Sequence, residues 1–142
     1  ISNNSFQELD LSGNIGLETL DADYNKFKTI DISKNSSLSI LRLSNNVLQV
    51  LNVRSNRKLS LLHVSNNKLE QIDLTYCEDL RSLECQLNQL KTLNLALNTK
   101  LNTMNCTNNN LTIVCVKSLN QPIENSWYSW KKDATATYKV CD

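Results

Sequence analysis

Asn25, Asn46, Asn67, Asn88 and Asn109 recur at an interval of 21 residues without slippage, and no other feature constrains the fold as tightly. Leu17, Leu38, Leu59, Leu80 and Leu101 keep the same interval, as do Leu20, Leu41, Leu62, Leu83 and Met104. Self-similarity at a fixed period of this size is the mark of a stacked array, in which one unit cannot bury its apolar side alone but successive copies bury a continuous column.

Inside one period the apolar positions alternate over about four residues and then meet an asparagine, as in Leu38, Leu41, Leu43, Asn46 and Leu48. The later half repeats the motif in Leu51, Val53 and Asn56, so the unit is nested. Alternation of period two followed by a turn residue predicts a short strand in each half. The expected architecture is therefore mostly β: a solenoid with short parallel strands in both halves of each 21-residue repeat and little helix. Residues 1–16 make a partial first repeat, further repeats start at 17, 38, 59, 80 and 101 to complete an array over 1–116, and 117–142 form a C-terminal cap.

The asparagines have a structural reason. A tight turn inside a solenoid leaves backbone N–H and C=O groups that water cannot reach, and a side-chain amide answers both kinds. The column from Asn25 to Asn109, and the second column of Asn14, Asn35, Asn56 and Asn98, are read as internal ladders. Cys77 takes the place of an asparagine in the second column, where a thiol is the weaker partner.

These residues resemble the leucine-rich-repeat family. The wording in Leu9-Asp10-Leu11-Ser12 with Asn14, in Ile30-Asp31-Ile32-Ser33-Lys34-Asn35 and in Ser65-Asn66-Asn67-Lys68-Leu69 is similar to a short nested bacterial type found in secreted proteins of the Bacteroidetes. The resemblance runs from residue 1 to about 116, and the segment from Trp130 through Tyr138 to Cys141 resembles the terminal segment of that same type. It implies a non-catalytic protein-binding module of a secreted or cell-surface bacterial protein, engaged in adhesion or host interaction. A role as a plain spacer is the weaker alternative.

Composition excludes other classes. Two glycines and one histidine leave no glycine-rich phosphate cradle and no multi-histidine metal site, and a net charge of +1 does not suit nucleic acid. No stretch approaches the roughly 20 apolar residues of a membrane span. No cofactor or metal is expected. The Asp10, Asp31, Asn52, Asp73 and Asn94 column is too thin in carboxylates to hold calcium.

The outward strand positions are the natural binding face. The column Asp21, Arg42, His63, Glu84 and Asn105 alternates in sign, and ion pairs of Asp21 with Arg42 and of His63 with Glu84 are expected along it. Beside it Thr19, Ile40, Leu61 and Ser82 line one side, with Ile40 and Leu61 expected as an exposed apolar pair, and Asp23, Ser44, Ser65 and Gln86 lie outward on the other. Tyr24, Ile40, Arg42, Leu61, His63, Glu84 and Gln86 are the expected protein-binding residues, with Tyr24, Arg42, Leu61 and His63 as its hot spots. A basic turn cluster of Lys34, Arg54, Arg57 and Lys58 offers an alternative glycosaminoglycan contact.

Of the five cysteines, Cys115 faces outward by register and Cys141 ends the cap, so a disulfide between them is expected, in keeping with an oxidising compartment. Cys85 and Cys106 share an inward column and are read as small buried hydrophobes. The aromatics Trp127, Tyr128, Trp130 and Tyr138 are expected to cover the last coil, with a sugar-binding platform as the alternative. At the other end, Ile1 falls at the position of Ala22 one period later. An uncapped first coil is expected to invite end-to-end self-association.

Overall fold

The chain winds one coil per 21 residues in a computed structural model that describes residues 1–121 and 130–141. Pro122, Trp127 and Tyr128 of the expected cap lie outside the described residues. Among those described there are nine strands and no helix: β1 (Thr19–Asp21), β2 (Ile40–Arg42), β3 (Leu61–His63), β4 (Ser82–Glu84), β5 (Thr92–Asn94), β6 (Thr103–Asn105), β7 (Ile113–Val116), β8 (Trp130–Lys131) and β9 (Thr137–Val140).

They form two parallel sheets, β1-β2-β3-β4-β6-β8 and β5-β7-β9. The repeat sets the register, so Leu20, Leu41, Leu62, Leu83, Met104 and Trp130 pair in sequence across the first sheet. Strand residues alternate between faces, and every strand from β1 to β6 buries its middle residue.

The core is a set of parallel columns rather than a globule. Leu41, Leu62 and Leu83 from the strands meet Leu43, Val64, Cys85 and Cys106 from the next inward position and Phe27, Leu48, Leu69, Leu90 and Leu111 from beyond the turn, all sealed from solvent. Burying one such leucine contributes about 1.5–3 kcal/mol, and each copy covers the one before it.

The asparagine ladder closes each turn. Asn46 Nδ2 donates to the carbonyl oxygens of Ala22 (3.0 Å), Leu43 (3.1 Å) and Ser44 (3.3 Å), while its Oδ1 accepts the N–H of Phe27 at 3.1 Å. Asn25, Asn67 and Asn88 repeat the pattern. Asn109 is the last asparagine of the row, and beyond it a carboxylate supplies the acceptor: Asp133 takes the N–H groups of Asn109 (3.1 Å) and Leu111 (3.0 Å). A carboxylate thus ends the row.

The second asparagine column is only half engaged. Asn35, Asn56 and Asn98 donate through Nδ2 to carbonyls of the previous coil, but their buried Oδ1 atoms have no partner among the described residues. Asn14 departs from the expected internal role. It is exposed, and its carbonyl oxygen accepts from Asn35 Nδ2 at 2.7 Å.

The second half of the repeat also differs from simple expectation. Among the described residues strands form there only in the last coils, at β5, β7 and β9; upstream, Leu51–Val53 and Ile72–Leu74 keep the inward alternation without pairing. These segments border a shallow groove of about 1310 Å³ running from Gln49 to Asn94, where water can answer the backbone groups. The middle residues Asp10, Asp31, Asn52, Asp73 and Asn94 each cap the turn ahead, accepting the N–H two residues on at 2.9–3.1 Å. That local bond explains the acidic column.

The winding continues past residue 116. β8 joins the first sheet beside β6, and β9 joins the second beside β7. Cys115 and Cys141 are disulfide-bonded, with a Cα–Cα separation of 5.4 Å. The Trp130 and Tyr138 rings lie 6.2 Å apart and pack against the core.

Candidate functional site

The face of the first sheet is built from outward residues on either side of each buried strand centre. Thr19, Ile40, Leu61, Ser82 and Thr103 form one column and Asp21, Arg42, His63, Glu84 and Asn105 the next, each residue in register with its neighbour. Adjacent strands stand about 4.8 Å apart, so side chains of successive coils touch along the column.

This crowding corrects three expectations. Ile40 and Leu61 are register partners but half-buried rather than exposed. Ser44 and Ser65 are buried, with Ser65 Oγ donating to Ser44 Oγ at 3.0 Å, and Asp23 Oδ1 accepts the Ser44 N–H at 2.6 Å. Asp21 and Arg42 lie side by side, yet they are not an ion pair. Asp21 Oδ1 instead accepts the N–H of Asp23 at 3.3 Å.

His63 sits at the centre of the face. Its Nε2 lies 4.0 Å from Glu84 Oε1 and 3.5 Å from Ser82 Oγ. Burial pushes the His63 pKa below the ordinary imidazole value and Arg42 pushes the same way, against the pull of Glu84 and Asp23. Asp23 moves oppositely: burial raises its pKa, and Asp21 adds to this. The face near neutral pH therefore holds a neutral imidazole between Arg42 on one strand and Glu84 on the other.

Serine, histidine and glutamate side by side do not make a hydrolase here. Both partners approach the same ring nitrogen, whereas a relay needs the acid on Nδ1 and the nucleophile on Nε2. At the cap end a hollow of about 180 Å³ is lined by Leu83, Glu84, Thr103, Met104, Asn105 and Lys131, too small for a substrate pocket of ordinary size.

The basic turn cluster is partly spoken for. Arg54 Nε pairs with Asp73 Oδ2 at 3.1 Å, and Arg54 and Arg57 lie over the Tyr76 ring at 5.8 and 5.2 Å. Lys34 and Lys58 are exposed nearby. Tyr76 is not among the residues the sequence singles out, although it stands one and two repeat intervals after Ser55 and Lys34 and could have been found there.

Tyr24 lies beyond the strand, exposed, with φ of 55°. It belongs to a row of left-handed residues, Asn3, Tyr24, Asn45, Asn66, Leu87 and Asn108, with φ between 52° and 58°. Gln86 is half-buried, and its Oε1 is shielded without a partner among the described residues.

No family model and no curated protein matches the sequence. Solved structures do. The functional domain of InlJ from Listeria monocytogenes, which includes a cysteine ladder, superposes with a TM-score of 0.70 at 24% identity, over 94% of this chain and 37% of that one. The leucine-rich repeat domain of APL1B gives 0.73 at 22% identity over 97% and 46%. YopM, a leucine-rich effector protein from Yersinia pestis, gives 0.65 at 20% identity over 99% and 49%.

The chain is a leucine-rich-repeat solenoid. It spans less than half the length of each of these three structures. What the likeness shows is the fold. Among the described residues no helix is long and apolar enough to cross a membrane.

Proposed function

We propose that this leucine-rich-repeat chain is a protein-binding module that engages its partner through the face of the first sheet. The observation that carries the reading is the row Ile40–Leu61 beside Arg42–His63–Glu84: a half-buried apolar strip locked in register with a strip of mixed charge. Such a surface resembles a small interface core with a polar rim. Arg42, Leu61 and His63 are the expected hot spots, with Tyr24 at the edge.

The setting is an extracellular or surface-attached bacterial protein that meets a host or neighbouring-cell protein. The Cys115–Cys141 disulfide supports this, since such bonds persist in oxidising compartments. Pull-down from an extracellular protein library tests the reading. Specific capture by the native chain, lost on Leu61→Asp with Arg42→Glu, is expected. Equal capture by that variant would count against it.

Lys34, Arg54, Arg57 and Lys58 support a secondary reading as a sulfated-glycan contact, favoured by the two guanidinium groups gathered on Tyr76. Salt-sensitive heparin retention that falls on Arg57→Ala and Lys58→Ala is its expected signature.

A further inference from the structure

One position of the repeat holds the left-handed conformation at Asn3, Tyr24, Asn45, Asn66, Leu87 and Asn108, and at Tyr24 and Leu87 the backbone is tied on both sides. Tyr24 N–H donates to Ser44 O at 2.9 Å and Tyr24 O accepts from Asn4 N–H at 3.0 Å. Leu87 N–H donates to Thr107 O at 3.0 Å and Leu87 O accepts from Asn67 N–H at 3.2 Å. These inter-coil bonds hold Tyr24 and Leu87 in the left-handed conformation.

Asparagine is the natural choice, because its short polar side chain tolerates a positive φ where larger side chains meet the carbonyl. It stands at four of the six positions, Asn3, Asn45, Asn66 and Asn108. Tyr24 and Leu87 are the two exceptions, and both are large. Neither contributes to the core, for their exposures are 56% and 50%. Local conformation disfavours them, and packing does not recompense the choice. Residues held against their own preference without structural gain mark a functional constraint.

Their placement says what they fit. Tyr24 and Leu87 are three coils apart in one row, about 14 Å at the strand spacing. Between them Asn66 Nδ2 donates to Asn45 Oδ1 at 2.8 Å. That bond leaves the Asn45 amide as a donor and Asn66 Oδ1 as an acceptor, with no other protein partner among the described residues. Two apolar anchors thus flank a donor and an acceptor. An extended chain rises about 3.3 Å per residue, so side chains roughly four positions apart reach both anchors, while a residue between them offers its N–H and C=O to the amides.

We propose that this turn edge binds an extended peptide segment of the partner, with apolar side chains seated on Tyr24 and Leu87 and its backbone on Asn45 and Asn66. The proposal rests on the protein-binding reading above and assigns to it a second contact line, beside the strand face.

Tyr24→Asn and Leu87→Asn, alone and together, test it alongside Leu61→Asp with Arg42→Glu. Each asparagine variant should raise the thermal midpoint by a few degrees, since it relieves a disfavoured conformation. A library of random linear peptides panned on the native chain should enrich sequences with two large apolar residues roughly four positions apart. Those peptides should bind the double asparagine variant at least about tenfold more weakly and the strand-face variant nearly unchanged.

Equal binding to the double asparagine variant, or lower midpoints in both single variants, overturns the inference. If the native chain captures folded proteins but enriches no linear peptide, the turn-edge inference fails and the broader reading stands. If capture of folded proteins fails while peptide enrichment depends on Tyr24 and Leu87, the strand-face reading fails and the turn edge stands.

Discussion

Asn67 Oδ1 accepts the backbone N–H of Leu48 at 2.9 Å, nineteen residues back in sequence and one coil away in space. The same amide donates to Leu43 O, Val64 O and Ser65 O, so one buried side chain serves four backbone groups. Asn67→Ala should lower unfolding free energy by about 3 kcal/mol, since the groups it leaves have no water to turn to. Asn56→Ala, whose Oδ1 has no partner to lose, should cost about half as much. Urea denaturation of both variants checks the order, and equal midpoints would refute it.

Cys77, Cys85 and Cys106 are free and fully buried. Burial pushes the Cys77 thiol up to about 11, and contact with Cys106 together with burial raises Cys85 well above the ordinary range. A protonated, enclosed thiol is inert. The native chain should show almost no reaction with a thiol reagent at neutral pH and three reactive groups after denaturation without reductant. Rapid labelling of the native chain would contradict the burial.

The Cys115–Cys141 bond closes a loop with a sequence separation of 26 and ties the edge of β9 to β7. Replacing both cysteines by alanine should cost on the order of 3 kcal/mol through the entropy of the unfolded chain. The loss should appear first in β9, as faster hydrogen exchange in 137–140 than in the buried strands β2 and β3. Unchanged exchange in 137–140 would show that β9 holds without the bond.

His63 makes stability depend on mildly acid pH. Its folded pKa is depressed, chiefly by burial, so between the unfolded value near 6.5 and the lower folded value the unfolded chain binds more protons. Stability is therefore full above about pH 6.5 and falls as the pH drops through that window. Asp23, with a raised pKa, acts in the opposite sense and in the lower carboxylate range. His63→Asn should flatten the urea midpoint between about pH 7 and pH 5.5. A slope that survives the substitution would assign it to another group.

A strict repeat makes spatial neighbours readable from the sequence alone, because residue i always meets residue i+21. That is why the core columns, the first-sheet register and the ladder from Asn25 to Asn109 were legible. The tertiary structure decided what the interval does not encode. How closely the columns crowd set the half-burial of Ile40 and Leu61 and the hiding of Ser44 and Ser65. Where the interval stretches beyond Val116, pairing in space took over: Trp130 lies beside Met104, and Asp133 takes the N–H groups at the end of the ladder. The left-handed row was also a matter of three dimensions, since hydrogen bonds between coils hold Tyr24 and Leu87 in it. Only with that backbone in view do Tyr24 and Leu87 stand apart from the asparagines that share their row.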